Sequence, residues 1–136
     1  MRRFTIITVA LSVALLFALA LPAAASSRHP FHGNWKGTDI FDESNVTLWI
    51  VEETHSGGQV FEIRGHDDHT GEWCGGPARM EAIGVLEEET SMAVSKTWWC
   101  LPAGSNILYF LEDSLTYNPS ADTITDSEGS IYHRTP

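Results

Sequence analysis

From Gly33 onward the apolar side chains of this chain recur at alternate positions in short runs, and no stretch shows the three-to-four spacing of a helix face. Successive side chains of a strand point to opposite faces, so a period of two marks half-buried strands. In "VTLWIVE", Val46, Leu48 and Ile50 fall on one side and Thr47, Trp49 and Val51 on the other. In "QVFEIRG", Phe61 and Ile63 oppose Val60, Glu62 and Arg64. Ile107, Tyr109, Leu111, Leu115 and Tyr117 share one side of a later run. Strands are expected over Gly33–Ile40, Val46–Glu52, Gln59–Gly65, Ala78–Leu86, Ser91–Leu101, Asn106–Tyr117, Asp122–Thr125 and Ser130–His133. Between them lie segments such as "THSGG", "PAGS", "NPSA" and "DSEG", with the Gly, Pro, Asn or Asp that turns require. The pattern predicts an all-β domain: an antiparallel meander or up-and-down barrel of about eight strands, whose closure leaves no edge exposed. A two-sheet β-sandwich is the alternative, because spacing does not fix closure.

Ahead of this region stands a different kind of segment. Arg2 and Arg3 precede the apolar run "FTIITVALSVALLFALALPA", and "PAAASS" offers small residues for cleavage after Ala25. Residues 1–25 are therefore expected to be a bacterial-type signal peptide with a helical apolar core, and the protein secreted or periplasmic. An uncleaved anchor over Phe4–Leu21 is the alternative; cleavage would leave no stable membrane anchor. The remaining 111 residues, Ser26–Pro136, suffice for one domain, with 26–32 a flexible lead into a domain over 33–136.

The leader holds two of the 8 basic residues and none of the 18 acidic ones, so the mature chain carries about −12. Such a field repels phosphate backbones and anionic membrane surfaces, which excludes nucleic acid as an expected partner. The two cysteines, Cys74 and Cys100, both follow the leader. In an oxidising compartment such a pair closes a disulfide.

Gly33-Asn34-Trp35 resembles the start of calycin barrels such as lipocalins and avidins, where the tryptophan closes one end of the barrel. The segments "WKGTD", "CGGPA" and "YNPSADTITDSEGSIYHR" are also similar to a group of small exported bacterial β-domains of no established activity. That group reads Trp-x-x-x-Asp, then Cys-Gly-Gly-x-Pro-Ala, then a lone Cys, then Tyr-x-Pro-x-x-Asp-Thr-Leu-Thr-Asp-x-x-Gly-x-x-Trp-x-Arg. Here Ile124 and Tyr132 replace the group's Leu and Trp, and "CGGPA" lacks its spacer residue. The resemblance implies fold and export, and no catalytic residues.

The densest chemistry lies in "HDDHTGEWCGG", His66–Gly76. His66, Asp67 and His69 are candidate metal ligands, but consecutive strand residues diverge, so they converge only if the segment turns. The competing reading is the polar end of a disulfide-pinned connection, since turns collect Asp and His to bond local backbone. Of the five tryptophans, Trp35, Trp73, Trp98 and Trp99 are candidate ligand-binding residues; adjacent Trp98 and Trp99 cannot both face inward. Ala82, Gly84, Ala93 and Ser95 are expected to leave room inside the barrel.

No nucleophile elbow, zinc-protease helix, phosphate loop or dinucleotide fingerprint is present, so no catalytic residue and no cofactor is expected. The expected role is a binding module for an unknown small molecule, apolar or aromatic, in the barrel mouth. A second reading is a module that binds an extracellular protein, on a resemblance to periplasmic inhibitors of secreted metalloproteases, with "SSRHPFHGNW" as the strand entering the protease. A third is a structural secreted domain.

Overall fold

The structure is a computed structural model that describes residues 28–101 and 109–136, without the side chains of residues 72, 73, 109 and 110. The expected leader, residues 1–25, and the expected start of a strand at Asn106 lie outside the described residues. Eight strands follow in order: β1 (Gly33–Thr38), β2 (Asn45–Glu52), β3 (Val60–Asp67), β4 (Ala78–Glu88), β5 (Ser91–Cys100), β6 (Tyr109–Asn118), β7 (Thr123–Asp126) and β8 (Ile131–Thr135). One helical turn, α1 (Gly71–Cys74), interrupts the β3–β4 connection.

Each strand pairs antiparallel with the next, and β8 returns to β1 to close the barrel. The closing seam runs from Asn34↔Thr135 to Gly37↔Tyr132, which decides for a barrel over a sandwich. Gly37 is needed there. A Cβ at this position would collide with the Ile131 carbonyl oxygen and stand 2.7 Å from Tyr132 Cδ1.

Burial follows the alternation. Val46, Leu48 and Ile50 are buried on β2, and Phe61 and Ile63 on β3. On β5 the inward set is Met92, Val94, Lys96 and Cys100, which puts Ala93 and Ser95 on the outer side. Only Ala82 and Gly84 of the four small residues expected inside are there, and Met92 packs into the space beside Gly84. The room in this barrel has another origin, because the strand phase, not residue size, decides which side chains face in.

Because strands alternate in direction, the β2–β3, β4–β5 and β6–β7 turns share one end of the barrel with the start of β1. An aromatic cluster plugs this end. Phe31 and Trp35 are fully buried, with Phe31 6.3 Å from Phe61 and 6.1 Å from Tyr117, and Trp35 6.3 Å from Tyr117, all edge-on. Trp35 Nε1 donates to the Phe31 carbonyl at 2.9 Å. Arg134 locks the plug: its guanidinium lies 4.1 Å above the Trp35 ring, donates to the Pro30 and His32 carbonyls at 2.6 Å, and pairs with Asp122 at 2.9 Å. Within the lead expected over 26–32, residues 28–32 are docked, with Phe31 fully buried and two carbonyls held by Arg134.

The disulfide forms as expected. Cys74 and Cys100 are bonded with their Cα atoms 5.3 Å apart, tying α1 to the end of β5. Beside it, Leu101 N–H donates to the Pro77 carbonyl, and Ala78 pairs with Cys100.

Two outcomes are expected. Arg134→Lys keeps the charge but loses the forked donation, and urea unfolding followed by tryptophan fluorescence should show a loss of about 1–3 kcal/mol. An unmoved midpoint would contradict the lock. Replacing both cysteines by serine should cost roughly 3–4 kcal/mol by chain-entropy reasoning, measured the same way.

Candidate functional site

The opposite end carries the β1–β2 loop, the β3–β4 connection with α1, and the β7–β8 turn. Among the described residues no aromatic cluster closes it; the side chains of Trp73, Tyr109 and Phe110 lie outside them. A cavity of about 550 Å³ opens there, within the range of small-molecule sites. Its floor and walls are apolar: Leu48, Ile63, Met80, Val94, Leu111 and Leu115, with Trp98 on one wall and the Cys74–Cys100 disulfide in another.

Set into this lining are two groups of charges. Deep on neighbouring strands, Lys96 Nζ pairs with Asp113 Oδ2 at 2.5 Å, both side chains nearly inaccessible. Asp113 Oδ1 also accepts from Ser127 N–H at 3.0 Å, Ser127 Oγ at 2.5 Å and Ser114 N–H at 2.7 Å. Burial works against its ionisation, yet the bonds from Lys96 and Ser127 prevail and hold its carboxyl below the usual range. Asp126 is equally engaged: Oδ1 cradles the N–H groups of Glu128, Gly129 and Ser130, and Oδ2 accepts from Tyr132 at 2.9 Å. Burial and that carboxylate push the Tyr132 hydroxyl far above its ordinary pKa, so it stays a donor.

The second group is less committed. Asp67 lies 4 % exposed in the cavity wall, with Oδ1 accepting from His69 N–H at 2.9 Å. Among the described residues it has no ion-pair partner, and burial pushes its carboxyl upward. Glu128, also on the cavity, is raised by burial too. Asp39 and Asp42 each accept one N–H of their own loop, from Phe41 and Ser44, and likewise line the cavity. The buried hydroxyls of Ser44 and Ser130, on the two turns framing the mouth, lie beside the Asp67 carboxylate and the Tyr132 hydroxyl.

The segment His66–Gly76 divides its chemistry. His66 is exposed on the outer face of β3, paired with Thr47 and Arg79, while Asp67 faces in. Asp68 clasps Asn45 through its backbone N–H and side-chain Nδ2, both at 2.8 Å. His69 is exposed, and Thr70 closes the turn on the Gly76 carbonyl at 2.9 Å. Gly75, at φ 62°, caps α1 in the left-handed region that favours glycine. The expected ligand set of His66, Asp67 and His69 therefore does not converge: strand alternation sends His66 and Asp67 to opposite sides of the wall. Among the described residues no three His, Cys, Asp or Glu side chains stand close enough to hold a metal ion.

The candidate tryptophans separate as well. Trp98 lines the cavity. Trp35 belongs to the plug at the other end and does not line it. Trp99 faces outward, with Arg79 5.2 Å from its ring, and the side chain of Trp73 lies outside the described residues. Sequence reasoning missed Lys96 and Asp113. The signal was present: Lys96 is in phase with Met92, Val94 and Trp98, and Asp113 with Leu111 and Leu115.

Asp67 sets a pH test with a definite sign. A raised folded pKa means the ionised form is disfavoured by folding, so the cost is absent below the ordinary value, about 3.9, and grows as pH rises through it. Asp67→Asn, which keeps an acceptor for His69 N–H, is expected to raise Tm at neutral pH, with the gain vanishing near pH ~4. A lower Tm at neutral pH would mean that the charge is satisfied in place.

No protein-family model, no characterised protein and no solved structure matches the chain, so the reading of this site rests on its own geometry.

Proposed function

We propose that the protein is an exported binding module that holds a small molecule with an apolar or aromatic body in the open end of its barrel. The observation that carries this reading is the asymmetry of the interior. Among the described residues one end is filled to contact by Phe31, Trp35, Phe61 and Tyr117, while the other keeps a cavity of about 550 Å³ with Trp98 on its wall. Interiors normally pack to crystal-like density, and an apolar void of this size forfeits contacts that a filled core would have. A ligand restores them. Export is supported by the basic-apolar-small order of residues 1–25 and by the disulfide, which fits an oxidising compartment. The small-molecule reading is preferred to the protease-inhibitor one because residues 28–32, part of the segment an inhibitor would extend into a protease, pack against the plugged end here.

N-phenylnaphthylamine, a dye without charge at neutral pH, tests this. Its fluorescence is expected to rise saturably with the protein, and Trp98→Ala to weaken binding about tenfold through the lost aromatic wall. Trp49→Ala, on the outer face, should leave binding unchanged. No saturable rise, or equal effects of the two substitutions, would overturn the proposal.

A further inference from the structure

The charges around the cavity are not balanced, and their imbalance specifies the ligand further. Lys96 is the one ammonium lining it among the described residues, and Asp113 neutralises it at 2.5 Å. Asp126 spends both oxygens on its own turn and on Tyr132. This leaves Asp67, Glu128, Asp39 and Asp42 on the cavity with no ion-pair partner among the described residues. Asp67 is the decisive group. It is buried at 4 % exposure, it sits in the cavity wall, and the groups beside its carboxylate, the His69 N–H and the Ser44 hydroxyl, are neutral, so its charge has no opposite charge paired with it among the described residues.

A ligand that fills the cavity also strips water from whatever wall it covers. For a neutral apolar molecule, covering Asp67 deepens the desolvation of a carboxylate and returns nothing. An anion meets four carboxylates without an ion-pair partner, and the one ammonium lining the cavity among the described residues is already held by Asp113. A cation reverses the sign of the effect: it supplies the missing partner to Asp67 where the dielectric is low and the attraction strong. Trp98 adds a π-face for the same charge.

Resting on the cavity-binding reading above, we propose that the ligand is a small organic cation, a protonated amine or amidine at the end of an apolar or aromatic body. The charged end lies toward Asp67 and the mouth carboxylates, and the body lies between Met80, Leu111 and Trp98. The size of the cavity selects a small molecule over a protein side surface, and the mouth carboxylates attract cations from a distance in a salt-dependent manner.

Three molecules of one shape and different charge make the test: tryptamine, tryptophol and indolepropionate, each displacing N-phenylnaphthylamine from the oxidised protein at neutral pH. Tryptamine is expected to compete at least about tenfold more strongly than tryptophol, and indolepropionate least. Asp67→Asn should erase most of the tryptamine advantage while leaving tryptophol unchanged. Glu128→Gln should reduce it in part, and serves if the Asp67 variant does not fold. Tryptophol equal to tryptamine, or indolepropionate strongest, overturns the charge assignment while the cavity reading stands. Failure of the dye itself to bind overturns the cavity reading and this inference with it.

Discussion

Everything in this barrel is arranged around the Arg134 lock at its plugged end. One guanidinium covers the Trp35 ring, holds the Pro30 and His32 carbonyls, and pairs with Asp122. It thereby fastens the segment before β1 to the last strand, across the seam where the sheet closes on itself. An eight-stranded barrel has an interior only just wide enough for its own side chains. With Phe31, Trp35, Phe61 and Tyr117 drawn into one end, that end is dense and the seam is secured. At the other end Leu48, Met80, Val94, Leu111, Leu115 and Trp98 line a cavity of about 550 Å³ among the described residues.

A hollow end would be simplest to stabilise by making it apolar throughout, and this chain does the opposite. Lys96 and Asp113 form a buried ion pair, a feature that seldom adds net stability because both charges lose their water. Their donors and acceptors are nevertheless well supplied by Ser114 and Ser127, so the pair stands as a rigid polar element of the wall. Asp67 has only neutral groups beside its carboxylate, the His69 N–H and the Ser44 hydroxyl, and no ion-pair partner among the described residues. A buried carboxylate that opposes folding at neutral pH is the kind of local inconsistency that binding sites retain, and it sits in the wall of the cavity. The disulfide then offsets part of this cost by fixing α1 and the end of β5 against the same cavity.

The strands were legible because alternation is a local property. Val46, Leu48 and Ile50 announce their face within one run, and "THSGG" or "NPSA" announces its turn. The disulfide was legible from the chemistry of an even pair. The cavity was less so. That Trp98 and Trp99 diverge follows from the pleat, but which of them faces in depends on the phase of β5, and the same phase moved Ala93 and Ser95 outside. Lys96 and Asp113 meet only because β5 and β6 pair with Val94 opposite Asp113 and Lys96 opposite Leu111. No single-strand pattern contains that register. In His66–Gly76 the density of His and Asp drew attention to the imidazoles, whereas the residue that reaches the cavity is Asp67, in phase with buried Phe61 and Ile63. Its neighbours His66 and Asp68 serve the outer face and a clasp to Asn45.

The central claim is that the open end of the barrel, not its aromatic outer wall, receives the ligand. Intermolecular nuclear Overhauser effects between bound tryptamine and the protein locate it directly. The account predicts contacts from the indole to the Met80 methyl, the Leu111 methyls and the Trp98 ring. Contacts confined to Trp49 and Trp99, which face outward from β2 and β5, would contradict it.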